Sequence, residues 1–293
     1  MTARFPFARL FLVLLLALAP TAPVLAQAPP AAAVTPTPFA VAATHVELPA
    51  PDGRQIDVSV WQAADERGVV IFSHGYGGGP AAYGRILSQW VDDGFTVVAP
   101  LHVDSVRHPQ RASYDGQAAF ATRIADLAVV RGFLRATRPG QPLIAAGHSF
   151  GSLMSLIEAG AVTVAGPLGD PDVKAVVAFS SAGDLQGVIG PETYAGLRTP
   201  ILMITGDADL VEGYVTDWRA HRSPFDRAAP GDKMLLVFEG GDHLLVRNAD
   251  ESDFDLIVRT TTAFMESYGL GDSDARARLD ALAAPQGASL ERR

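Results

Sequence analysis

Gly147-His148-Ser149-Phe150-Gly151 follows the apolar run Leu143-Ile144-Ala145-Ala146. It precedes Ser152-Leu153-Met154-Ser155-Leu156-Ile157-Glu158-Ala159, which reads as a helix. A strand, a sharp G-x-S-x-G turn and a helix form the setting in which that motif is a nucleophile elbow. Such a turn is strained, and glycine at both flanks removes the Cβ atoms that would clash in it. The strain lifts the Ser149 hydroxyl over the sheet edge. The helix behind it aims its first amides and its positive dipole end at the same place. Ser between glycines also occurs in ordinary turns, so the reading depends on what else the chain supplies.

It supplies two further motifs. The apolar strand Val69 to Phe72 runs through Ser73 into His74-Gly75-Tyr76-Gly77-Gly78-Gly79. Acyl transfer needs backbone N–H groups aimed at a carbonyl oxygen as it becomes an oxyanion, and glycine permits the close approach. In this layout the donors are the amides of Phe150 and Tyr76. The competing reading, a phosphate loop, lacks the Lys-Ser/Thr of a P-loop and the G-x-G-x-x-G that opens a dinucleotide-binding helix. The third motif is order. Thr205-Gly206-Asp207-Ala208-Asp209 follows the strand Ile201 to Ile204, and Glu239-Gly240-Gly241-Asp242-His243 follows the strand Met234 to Phe238. Ser, then Asp, then His, each just past a strand end, is the order of one triad scaffold. His243 suits the base because imidazole titrates near working pH. The acid that fixes its tautomer is Asp207 or Asp209. Asp242 is adjacent to His243 in sequence, and its expected role is turn capping.

On these three motifs the chain resembles the α/β-hydrolase family from about Val46 to Tyr268. Within the family it is similar to the small-lid group related to dienelactone hydrolases, chlorophyllases, platelet-activating-factor acetylhydrolases and polyester hydrolases. The resemblance implies a single α/β domain, a mostly parallel eight-stranded sheet with helices on both faces, and a serine esterase that uses no cofactor. The family's usual acid position favours Asp209, with Asp184 a remoter candidate. Dienelactone hydrolases use a Cys nucleophile. The chain has no Cys, so that activity is not implied.

Composition agrees with one globular domain. There are 293 residues, 48% of them hydrophobic and 19% charged, enough for a substantial core. A net charge of -9 argues against nucleic acid or an anionic membrane surface as partner. Residues 1–26 read as a secretory signal peptide, with Arg4 and Arg9 before a short apolar core and Val24-Leu25-Ala26 at the cleavage site. The apolar stretch is shorter than the ~20 residues of a membrane span, the competing reading. Export to a periplasm or the exterior is therefore expected. Residues 27–43 are an Ala/Pro-rich linker.

Between the motifs, alternating apolar strands and amphipathic helices indicate a largely parallel sheet covered on both faces. Two early strands, His45 to Leu48 and Ile56 to Trp61, read as a hairpin, and Gly116 to Thr137 as a long helix whose apolar positions include Phe120, Ile124 and Leu127. Glu251 to Tyr268 reads as a closing helix, and residues 271–293 as a loose tail, helical at most near Asp274 to Leu282. The candidate lid segments, 184–198 and 210–232, are neither long nor strongly apolar, so an open site for soluble esters, short-chain esters or a polymer chain is expected. Tyr214, Trp218 and Phe225 line the pocket or pack the loop inward. His74 and His148 are expected to hydrogen-bond the loops of the site, His102 to line the pocket, and His45, His108 and His221 to lie at the surface. His102, Asp104 and His108 match no metal signature, and no metal site is expected. The function these features indicate is cleavage of carboxylic esters through a covalent acyl-enzyme. The alternatives are chemistry on another acyl bond and a secreted binding protein on the same scaffold.

Overall fold

The computed structural model describes residues 42–293 except 165, 184 and 186. The expected leader, the linker up to residue 41 and Asp184 therefore lie outside the described residues. Strands β1 (Thr44–Pro49) and β2 (Gln55–Trp61) form the antiparallel hairpin expected from their alternation. β3 (Gly68–Ser73), β4 (Phe95–Pro100) and β5 (Leu143–His148) follow, with every residue buried. A two-residue ribbon, β6 (Val162–Thr163) with β7 (Gly166–Pro167), precedes β8 (Val173–Phe179), β9 (Ile201–Gly206), β10 (Lys233–Phe238) and β11 (Ala288–Arg292).

All strands but the ribbon join one sheet in the order β1-β2-β4-β3-β5-β8-β9-β10-β11. β4, β3, β5, β8, β9 and β10 are parallel, and the two edges are antiparallel. Strands buried on both faces carry near-continuous apolar sequence, as these do. Their alternate residues divide between two cores. Val70, Phe72, Ile144, Val177 and Leu236 face α1 (Gly84–Asp92) and the helix that closes the chain. Val69, Ile71, Ala145, Val176 and Leu235 face α2 (Gly116–Thr137) and α3 (Phe150–Glu158). The short helix α4 (Ser223–Arg227) adds Phe225 to the second core, and α5 (Leu245–Asn248) adds Leu245 and Val246 to the first. The closing helix α6 (Glu251–Phe264) continues as a π-helical turn over Met265–Leu270.

The chain's end differs from the sequence expectation. The eight expected strands become nine, because residues 271–293 form α7 (Ser273–Asp280) and then β11, which pairs antiparallel with β10. Leu279 is buried in the first core, and Glu291 pairs with Arg222. A sheet edge offers unpaired N–H and C=O groups, and this segment takes them up on β10.

The topology also places the site. From β3 the chain steps outward to β4 and returns to β5 on the other side of β3. Ligands in open α/β sheets bind outside the carboxyl ends of strands at such a switch point. Ser73 pairs with Gly147 there, so the turns after β3 and β5 are neighbours.

Candidate active site

Ser149 sits between β5 and α3 with φ 55° and ψ −121°, a left-handed conformation uncommon for a residue with a side chain. The backbone around it is fixed. Ser149 N–H donates to Phe179 O at 2.9 Å, and the Ser152 hydroxyl and amide both donate to Ser149 O. The flanking glycines are sterically required. A Cβ on Gly147 would stand 2.4 Å from the Gly151 carbonyl carbon, and one on Gly151 would stand 1.9 Å from Ser73 O. Helix α3 thus lies directly on the end of β3.

The turn after β3 approaches the same point. A Cβ on Gly75 would be 3.5 Å from Ser149 Cβ. Among the described residues no acceptor meets Tyr76 N–H or Phe150 N–H, and the second is one of the orphan donors of a helix start. The two aromatic rings meet edge to face at 6.1 Å.

Asp209, fully buried after β9, accepts a 2.7 Å hydrogen bond from Nδ1 of His243, which follows β10. Its second oxygen accepts from the Thr205 hydroxyl at 2.7 Å. Asp207 instead takes Gly240 N–H, and Asp242 takes Leu244 N–H, so both hold turns. His148 ties the halves of the site together. Gly75 N–H donates to the Tyr83 hydroxyl, which lies 2.9 Å from His148 Nδ1, and His148 Nε2–H donates to His243 O at 2.7 Å. His74 donates from Nδ1 to Gly75 O and accepts His102 N–H at Nε2. Both rings are neutral: burial, with Arg123 for His74 and His243 for His148, holds each pKa at about 3.

Two expectations are corrected here. His102 does not line a pocket: it is fully buried beneath the turn, with Nε2 3.2 Å from Ser73 Oγ. His221 is not at the surface: it is fully buried, 2.8 Å from Asp209. Its place in the described structure follows from tertiary packing of the 3-10 turn Trp218–Arg222, which the local sequence signals only faintly. Trp218 packs partly on the second core, and Phe225 lies inside it, whereas Tyr214 is exposed. Among the three residues of the weighed metal reading, Asp104 pairs with a cation, Arg123.

Arg123 was not singled out from the sequence. From α2 its guanidinium donates to both oxygens of Asp104 at 2.7 and 2.8 Å and to His74 O at 2.7 Å. It also lies 4.7 Å from the centre of the Phe150 ring. Asp104 in turn accepts Gly77 N–H. The turn carrying Tyr76 is therefore held by a buried ion pair from below. Burial would raise the Asp104 pKa, but Arg123 brings it below the usual carboxylate value.

Residues 64–187 match the family model described as serine aminopeptidase, S33. No functionally curated protein matches the sequence. Among solved structures, the chain is similar to an esterase domain from a Rhodothermus marinus protein, at TM-score 0.56 and 18% identity over 77% of this chain and 98% of that one. It is similar also to Thermogutta terrifontis esterase 2 phosphoramylated by tabun, at TM-score 0.61 and 16% identity over 81% and 98%. A Mycobacterium tuberculosis puromycin-hydrolyzing peptidase gives TM-score 0.61 and 16% identity over 78% of this chain and 39% of that one. Sheet order, switch point and elbow define an α/β-hydrolase fold.

Proposed function

We propose that the protein is a serine hydrolase that cleaves carboxylic esters. The observation that carries this reading is the His243–Asp209 hydrogen bond beside an elbow whose Phe150 and Tyr76 amides are free of acceptors. Ser149 Oγ attacks the ester carbonyl as His243 Nε2 takes its proton. The carbonyl oxygen, now negative, receives the two amides. His243 returns the proton to the departing alkoxide, and water then repeats the sequence on the acyl-enzyme. Asp209 keeps His243 in the tautomer that leaves Nε2 free to act as base.

Tyr76, Leu210 and Tyr214 are exposed large hydrophobic side chains on the turns that follow β3 and β9. They support an apolar acyl or alcohol moiety bound along an open rim. The matched family model is described as a serine aminopeptidase, so amides belong in the same substrate panel. The leader read in residues 1–26 supports export, with the working protein beginning near Gln27.

A fluorophosphonate probe tests the nucleophile. One adduct by intact mass, absent from Ser149→Ala, is expected, with hydrolysis of p-nitrophenyl esters lost in the same variant. Wild-type esterase turnover in Ser149→Ala, or no adduct on the folded protein, overturns the proposal.

A further inference from the structure

Among the described residues both ring nitrogens of the buried His221 face acceptors and nothing else. Nδ1 meets Ser181 O, and Nε2 lies 2.8 Å from Asp209 Oδ1 and 3.0 Å from Asp209 O. A neutral imidazole has one nitrogen with a lone pair, which here would point at an oxygen lone pair. Only the doubly protonated ring satisfies both sides.

We infer that His221 is a buried imidazolium that positions Asp209 and shares its charge with the proposed base, His243. This rests on the hydrolase reading above. Asp209 Oδ1 is shared by two imidazoles, His221 at 2.8 Å and His243 at 2.7 Å, while Thr205 takes Oδ2. With both oxygens bonded, the carboxylate cannot turn away from His243. The two rings lie 5.8 Å apart, nearly parallel, so a proton arriving on His243 meets a like charge through little solvent. The negative charge of Asp209, which would otherwise serve His243 alone, is divided between two cations. Removing the His221 charge leaves all of the Asp209 charge to a proton on His243.

The surroundings agree. Burial would lower the His221 pKa, but the hydrogen bond and charge of Asp209 raise it above the ordinary value. Burial would raise the Asp209 pKa, but the bonds from His221 and His243 hold it well below the carboxylate range. On the turn that carries His221, Arg219 pairs with Asp217, and Arg222 with Asp226 and Glu291. His148, neutral, faces His243 at 4.8 Å between ring centres, and Arg247 acts on His148 from α5. Among the described residues Asp209 is therefore the carboxylate that faces His221.

The test is ¹⁵N NMR of the ¹⁵N-histidine-labelled protein together with the pH profile of kcat/KM for p-nitrophenyl acetate, in wild type and His221→Gln. Glutamine can still donate one hydrogen bond to Asp209 but carries no charge. One histidine with both ring nitrogens protonated at pH 7 is expected in wild type and is expected to vanish in the variant. The acid limb of kcat/KM is expected to move up by about one pH unit in His221→Gln, so activity below the wild-type midpoint falls about ten-fold. A merely structural role would lower stability or kcat without moving that midpoint. A neutral His221 at pH 7, or an unmoved midpoint in a folded variant, overturns the inference. Should His221→Gln fail to fold, His221→Asn serves for assignment, and the wild-type spectrum decides the protonation. If the fluorophosphonate adduct is absent, the hydrolase reading fails while the NMR result still stands on its own.

Discussion

Replacing Arg123 with Met should separate the stability of the site from its chemistry. Arg123 is fully buried, and Asp104 is 1% exposed. The substitution removes two charge-assisted bonds to Asp104 and one to His74 O, leaving the carboxylate with Gly77 N–H. Breaking a buried pair from one side typically costs about 3–5 kcal/mol, against a total of about 5–15 kcal/mol for a domain. Removing both charges in Arg123→Met/Asp104→Asn leaves no orphaned ion and should recover about half of that loss. Urea unfolding gives the free energies, provided the slope m is unchanged. The chemistry should suffer more than the fold. The Tyr76 amide is aimed by a turn whose carbonyl at His74 is tied to Arg123, and losing one oxyanion donor costs about 10²–10³ in turnover. The double variant is thus expected to be stable but slow. A loss under about 1 kcal/mol in Arg123→Met, or wild-type kcat in the double variant, would refute the claim that this ion pair holds the turn.

Two further outcomes follow from the same geometry. Gly151→Ala puts a Cβ 1.9 Å from Ser73 O and should prevent folding, whereas Gly132→Ala in α2, with nothing within 4 Å, should stabilise by roughly 0.5–1 kcal/mol; thermal melts of the two decide it. The protein should also lose stability between pH 6.5 and 5. His74 and His148 have folded pKa values of about 3, below the unfolded value near 6.5, so in this window the unfolded chain binds protons that the fold does not. Each should remove about 2 kcal/mol by pH 5. His102, also lowered by burial, adds to the loss, and Glu158, raised to about 7 by burial, offsets part of it. Asp104 and Asp209 are lowered, so their contribution persists down to the unfolded carboxylate pKa near 4. His221 is raised, so its contribution is fully present below 6.5 and lost only as pH rises through its folded value. Flat denaturation midpoints from pH 7 to 5 would mean the two histidines are not neutral.

The elements legible in the sequence are those whose cause is local. Apolar runs ending in Gly-rich turns mark β3, β5, β9 and β10, and the residues that close each turn are within a few positions of the strand end. Nonlocal causes were hidden. In α2 the expected apolar positions Phe120 and Ile124 are only half-buried. The buried stripe keeps the expected Leu127 and runs on through Val130 and Leu134, but takes Ala119 and Arg123 in place of Phe120 and Ile124. Arg123 stands on that stripe, and a charge at a core position of a helix is the readable sign of a buried partner. His221 has a fainter sign. It precedes Phe225 by four residues in a polar segment, and both face inward. β11 carries almost no signal, since Ser289-Leu290-Glu291-Arg292 becomes a strand only because β10 presents an open edge.

Arg123 and His221 also bear on how such a site is held rigid. Each proposed participant rests on a group one layer behind it: Tyr76 on the Arg123–Asp104 pair, His243 on Asp209 and His221. His148 joins the two halves through Tyr83 and the His243 carbonyl. A donor that is fixed before charge develops loses nothing to reorganisation when it does. The two buried cations are balanced differently. Arg123 shares its carboxylate with the Gly77 amide and not with the proposed base, so its charge is spent on structure. His221 shares its carboxylate with the proposed base, so its charge reaches the chemistry. Substituting the first should therefore act on stability and on the plateau of turnover, and substituting the second should act on where along the pH axis that plateau begins.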